Sequence, residues 1–144
     1  MVFGLFEGNK LTITLDKPSF NIGESITGKV TLDLKKPKKA KGLRVSVYLE
    51  YETEQEVIRN VGSPPRPTRQ IERHSEKFGT QTANLDTEKE YPAGHIDYPF
   101  SIPTAKTNAA PFGFSRKLGW FIDASLDVPM SVDVGKKQQL NVIE

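Results

Sequence analysis

Three features of the sequence predict an all-β fold, an antiparallel β-sandwich. Apolar residues recur at every second position in almost every apolar segment, turn residues separate those segments, and no window of helical length carries a helical apolar period. A strand sends alternate side chains to opposite faces, so this pattern marks strands with one buried face. A series of such strands needs a second layer to cover its apolar face, which gives a sandwich or barrel.

Taken in order, Leu11, Ile13 and Leu15 share one face, with Thr12, Thr14 and Asp16 on the other. Turn-rich residues follow, and then Ile26, Gly28, Val30, Leu32 and Leu34 fall on one parity. Leu43, Val45, Val47 and Leu49 form the clearest stripe. Their even-numbered neighbours include Tyr48, Glu50, Glu52, Glu54 and Glu56, and the four glutamates are expected to line up on one face toward water. Residues 62–67, Gly-Ser-Pro-Pro-Arg-Pro, cannot be a central strand, because proline lacks the ladder donor. They are expected to join two antiparallel strands, the second over residues 68–78. With the turn centred near Pro65, Lys77 would oppose Glu54 and Arg73 would oppose Ile58.

Ile96, Tyr98, Phe100 and Ile102 alternate with polar residues, and Pro99 among them indicates an edge position or a bulge. Residues 103–116 read as irregular. Leu118, Trp120, Ile122, Ala124, Leu126 and Val128 make the last long stripe, and a short final strand is expected over residues 138–143.

The 144 residues suffice for one domain with a real core, so residues 1–144 are expected to form a single domain. At 36% hydrophobic and 26% charged the chain reads as soluble and globular, and a net charge of +2 gives no case for nucleic acid. With no cysteine, disulfides, thiolate metal sites and cysteine nucleophiles are excluded. Residues 1–10 hold Val2, Phe3, Leu5 and Phe6 without a basic region or a long apolar run. They are expected to dock on the body as a short helix or strand, and the cytoplasm is the expected compartment.

Catalytic patterns are missing. His74 and His95 stand in no metal-ligand spacing, the glutamate row offers similar solvated acids rather than a split pair, and neither a serine elbow nor a phosphate-cradling motif occurs. No catalytic residue, metal or cofactor is expected. Two segments stand above the background as partner contacts. Lys35, Lys36, Lys38, Lys39 and Lys41 form a basic turn that would attract an anionic membrane weakly or simply keep a sheet edge soluble. Pro64, Pro65, Arg66 and Pro67 make a rigid loop, with Pro64 and Pro67 at the spacing of a polyproline ligand.

Three stretches, in order, resemble the amino-terminal domain of the arrestin family. The first is Lys17-Pro18-Ser19-Phe20-Asn21-Ile22-Gly23-Glu24-Ser25-Ile26-Thr27-Gly28-Lys29-Val30, similar to the family's opening turn and second strand. The second is Tyr91-Pro92-Ala93-Gly94-His95-Ile96-Asp97-Tyr98-Pro99-Phe100-Ser101-Ile102-Pro103, with tyrosine where the family has leucine. The third ends in Ala124-Ser125-Leu126-Asp127-Val128-Pro129. The first fifty residues also resemble the sporulation-control branch of bacteria and archaea. The resemblance implies an immunoglobulin-like sandwich and a non-enzymatic scaffold or adaptor that binds other proteins, with residues 61–69 in the place of a partner-contacting loop. The family's phosphate-sensing charged network does not map onto this chain.

A carbohydrate-binding sandwich is the rival reading. It needs exposed coplanar aromatics, whereas Trp120, Tyr98 and Phe100 lie on apolar parities. Residues 138–144 carry Leu140, Val142 and Ile143 without proline, so an edge-mediated homodimer or small oligomer is a further expectation.

Overall fold

In the computed structural model, which describes residues 9–104, 116–129 and 134–143, the chain is built from strands. They are β1 (Lys10–Leu15), β2 (Phe20–Asn21), β3 (Ser25–Leu34), β4 (Lys38–Ala40), β5 (Gly42–Val61), β6 (Arg66–Asp86), β7 (Lys89–Tyr91), β8 (Gly94–Pro103), β9 (Arg116–Asp127), β10 (Val134–Leu140) and β11 (Val142–Ile143). One sheet has the order β1-β3-β8 and the other β10-β9-β5-β6, all antiparallel. Two small ladders complete the fold, β4 with β7 and, in parallel, β11 with β2.

The apolar stripes meet between the two sheets. Leu11, Ile13, Ile26, Val30, Leu32 and Leu34 are buried from one side, and Leu43, Val45, Val47, Leu49, Trp120 and Ile122 from the other. Burial of such side chains stabilises by about 1.5–3 kcal/mol each relative to exposure. Gly28 sits where no side chain fits: a Cβ there would lie 2.2 Å from the Thr14 carbonyl oxygen and 3.2 Å from Phe100 Cζ. The bare backbone lets β1 and the Phe100 ring close over β3. Pro99 lies on β8, which ends its sheet, so the missing amide faces away from the ladder.

Side chains add further ties, one of them between the two sheets. Tyr98 on β8 donates its hydroxyl to Asp86 at the end of β6 (2.9 Å), and Thr104 joins the opening turn through Gly23 N–H (2.7 Å) and Glu24 C=O (3.0 Å).

Several expectations need correction. The second strand of the central hairpin covers Arg66–Asp86 rather than residues 68–78, and the register runs Glu54 to Arg73, Ile58 to Arg69 and Glu50 to Lys77. The turn is centred between Ser63 and Pro64, which moves every rung from a hairpin centred on Pro65. The last strand is longer than expected, since β10 begins at Val134. Its continuation is not a free edge: Val142 and Ile143 pair with Phe20 and Asn21, and Leu140 is buried. The lysine-rich segment is only partly a turn, because Lys38, Lys39 and Ala40 form a ladder with Tyr91, Glu90 and Lys89. Residues 1–8, 105–115, 130–133 and 144 lie outside the described residues, and with them the docking expected of the amino terminus and most of the irregular stretch.

Candidate interaction surface

The described pairing of β9 with β5 runs to the Glu52–Arg116 rung. Beyond it, residues 53–61 and 66–74 continue as a two-stranded ribbon closed by a turn at residues 62–65, with a cis peptide at Ser63–Pro64. Among the described residues the ribbon has no second layer. Burial falls from 3% exposure at Tyr51 in the body to 68% at Ile58 near the tip.

A two-stranded hairpin in water is marginal without added interactions. Here cross-strand ion pairs supply them. Arg73 lies 3.0 Å from Glu54 and 3.8 Å from Glu52, Arg69 lies 3.0 Å from Glu56, and Arg59 pairs with Glu72. Arg116 reaches Glu52 at 3.6 Å and fastens the ribbon's base to β9. Exposed pairs of this kind contribute at most about 1 kcal/mol each.

Facing residues on paired strands share a side of the ribbon, so Glu56 with Ile71 and Ile58 with Arg69 lie on one face, two rungs apart. Ile58 and Ile71 are 68% and 65% exposed, and Val61, at the last rung opposite Arg66, is 44% exposed. The charges are sorted as well. Between Glu56 and Glu72 the sequence holds Arg59, Arg66 and Arg69 and no carboxylate. The result is a cationic tip with exposed aliphatic side chains above an acidic stem.

The four loop residues expected to contact a partner, Pro64, Pro65, Arg66 and Pro67, are all exposed at this tip. Pro67 pairs with Asn60 within β6, so the segment is a hairpin turn and strand start rather than a polyproline helix. The lysines are not brought to it. Residues 35–41 lie at the opposite end of β5, whose twenty residues extend about 60 Å. Ile58 and Ile71, absent from the sequence-based choice, were signalled by apolar residues standing among charges in a segment without strict alternation.

The glutamate row does not face water as a whole. Glu50 is 7% exposed, with Lys137 Nζ 3.4 Å from its Oε2, and Glu52 is occupied by Arg73 and Arg116. Tyr48, on the same parity, is 1% exposed, stacked with Phe121 at a 6.0 Å centroid distance and overlaid by Lys77. The exposed large hydrophobics among the described residues are aliphatic, not aromatic. His74 and His95 stand on strands beside Glu72 (3.4 Å) and Asp33 (3.6 Å), and no three potential ligands gather among the described residues. No described helix is long and apolar enough to cross a membrane.

A sandwich whose middle strands extend into a ribbon invites comparison with known families. The profile described as Arrestin (or S-antigen), N-terminal domain, matches residues 11–144. The chain belongs to the arrestin N-terminal domain family. Among solved structures, Spo0M, a sporulation control protein from Bacillus subtilis, is similar with a TM-score of 0.60 and 14% identity, over 96% of this chain and 51% of that one. This arrestin domain thus spans about half the length of Spo0M, and at this identity the likeness concerns the fold. The E. coli curli protein CsgC aligns over 90% of this chain and 96% of its own, but at a TM-score of 0.27 and 13% identity it carries no argument. No curated protein sequence matches. Arrestin-like domains generally act in protein interaction and are generally non-enzymatic.

Proposed function

We propose that this arrestin domain is a non-enzymatic adaptor that grips a partner protein with the tip of its β5–β6 ribbon. The supporting observation is the exposure of Ile58, Ile71 and Val61 on an arm whose outer part holds three arginines and no acid. Apolar anchors ringed by arginine suit a partner groove with an apolar floor and an acidic rim. Pro64, Pro65 and Pro67 add to this fit, because they bring no amide donors that binding would have to dehydrate.

In this reading residues 1–144 act as one sandwich unit in the cytoplasm. The edges of β1, β8 and β10 allow self-association as a second mode of contact. The lysines of residues 35–41 add a weak attraction to anionic membrane, about 1 kcal/mol for each lysine near the surface.

The test replaces Ile58 and Ile71 with aspartate. A partner captured from the native host by the unaltered chain is purified and titrated against both proteins. The variant should lose about tenfold or more in affinity with its thermal midpoint held, since both side chains already face water. Equal affinities for the two proteins would place the contact elsewhere.

A further inference from the structure

The outer face of the four-stranded sheet, away from the ribbon tip, carries a depression of about 370 Å³. Small residues line it in one rung, Ser125 on β9 and Gly135 on β10, together with Ser46 on β5. Cationic residues line it from three strands: Arg44 on β5, Lys77 on β6, and Lys136 and Lys137 on β10. Arg44 and Lys136 have no carboxylate at ion-pair distance among the described residues. Lys77 stands 4.5 Å from the Tyr48 ring centre, and Lys137 lies across Phe121 at 4.6 Å. Two carboxylates offset these charges, Asp123 in the wall and Glu50 beside Lys137, so the four cations leave an excess of two.

A second observation is independent of the charges. Tyr48 lines the same depression, is 1% exposed, and its buried hydroxyl, beside the Lys137 ammonium, finds no acceptor for its own proton among the described residues. Buried polar atoms in folded proteins nearly always have a partner, so such a hydroxyl calls for an acceptor. Burial raises the Tyr48 phenol above its ordinary value, against the pull of Lys137, and leaves it a protonated donor at neutral pH.

We propose that this depression binds a small dianion, a phosphate monoester or a short dicarboxylate, held by Arg44, Lys77 and Lys137 with the Tyr48 hydroxyl donating from beneath. The guanidinium fork of Arg44 matches the paired oxygens of either group, and the excess of two positive charges matches the ligand's own. Ser125 and Thr80 supply further hydroxyl donors at the wall. The site lies on the body of the sheet and is independent of what the ribbon tip grips.

Calorimetric titration of the full chain with inorganic phosphate, and separately with succinate, tests this at fixed ionic strength against chloride. Saturable binding of one or both is expected, and the ion that binds names the class. Arg44→Gln and Lys77→Gln should each weaken it about tenfold. Tyr48→Phe, which keeps the ring on Phe121, should weaken it roughly three- to tenfold while the thermal midpoint holds or rises. Heats no larger than those of chloride for both ions would overturn the proposal. So would binding that survives in the Arg44→Gln, Lys77→Gln double variant, which would mark an adventitious ion only.

Discussion

Tyr98 and Asp86 are held 2.9 Å apart by a hydrogen bond that crosses from one sheet of the sandwich to the other. Asp86 also receives Lys89 Nζ at 2.7 Å and the Thr87 amide at 2.8 Å. The Lys89 bond, with those of Thr87 and Tyr98, holds the Asp86 carboxyl below its ordinary value despite partial burial. A carboxylate with a depressed folded value contributes stability that is present above its unfolded value, about 3.9, and lost as pH falls through the folded one. Acid unfolding of Asp86→Asn, followed by circular dichroism, should therefore be less steep below about pH 4 than that of the unaltered chain. Identical acid profiles would show that the carboxylate has no such role.

The alkaline side carries the opposite sign. Burial, and then the Asp86 charge, push the Tyr91 phenol up to about 12, and Tyr98 moves in the same direction through burial and its bond to Asp86. A raised folded value means the native state keeps a proton that the unfolded chain releases. The associated stability is whole below the unfolded value of about 10 and falls as pH rises toward the folded one. Denaturant midpoints should decline from pH 10 to 12, and Tyr91→Phe should flatten that decline. Ultraviolet titration of the four tyrosines should show a fraction that ionises only with unfolding.

Trp120 is 3% exposed between the sheets. Its native emission should lie well to the blue of that in guanidinium, and Trp120→Ala should cost about 3–5 kcal/mol in chemical unfolding. A native spectrum matching the denatured one would contradict the packing of β9.

Gly28→Ala offers a sharper test of the contact between β1 and β3. The added methyl would meet backbone rather than a movable side chain, so a loss of roughly 1–3 kcal/mol or more is expected in the same assay. An unchanged midpoint would mean the strands are farther apart than described.

Hydrogen exchange should divide the central hairpin in two. Among the described residues, the amides of 53–61 and 66–74 have one neighbouring strand and no covering layer, so they should exchange through local opening. Those of Val45, Val47 and Ile122 should await global unfolding. Raising the salt should widen the gap by screening the pairs of Arg69 and Arg73. Equal protection along β5 would point to a cover over the ribbon, a second copy among the options, which sedimentation across a range of concentrations would reveal.

The body of the fold was legible because its strands have one wet and one dry face, and the stripes through Val45, Ile122 and Val30 record that division. The ribbon was not. With no core to face, β6 lacks alternation over most of its length, so its extent and the rung opposite each residue depend on the turn. Centring that turn on Pro65 instead of between Ser63 and Pro64 misplaced Lys77 and Arg73. Tyr48 and Glu50 escaped for a different reason. Parity places them on the outer face, but the stems of Lys77 and Lys137 fold over that face and keep water out, which a strand pattern does not record. The proline loop was found because proline limits local structure directly. Ile58 and Ile71 belong to one patch only through the register that sequence reading missed.

Strand β5 runs without interruption from the foot of the sandwich, beside the lysine segment, to the tip of the arm. Anything that pulls on the tip along this axis therefore loads the same strand that carries Leu43, Val45 and Val47 in the core. The load falls in shear on the rungs that join β5 to β9 over Gly42–Asp127 through Glu52–Arg116, many bonds sharing it at once instead of opening one by one. The arm is a handle set into the body, and a tug on it is resisted by the whole sheet.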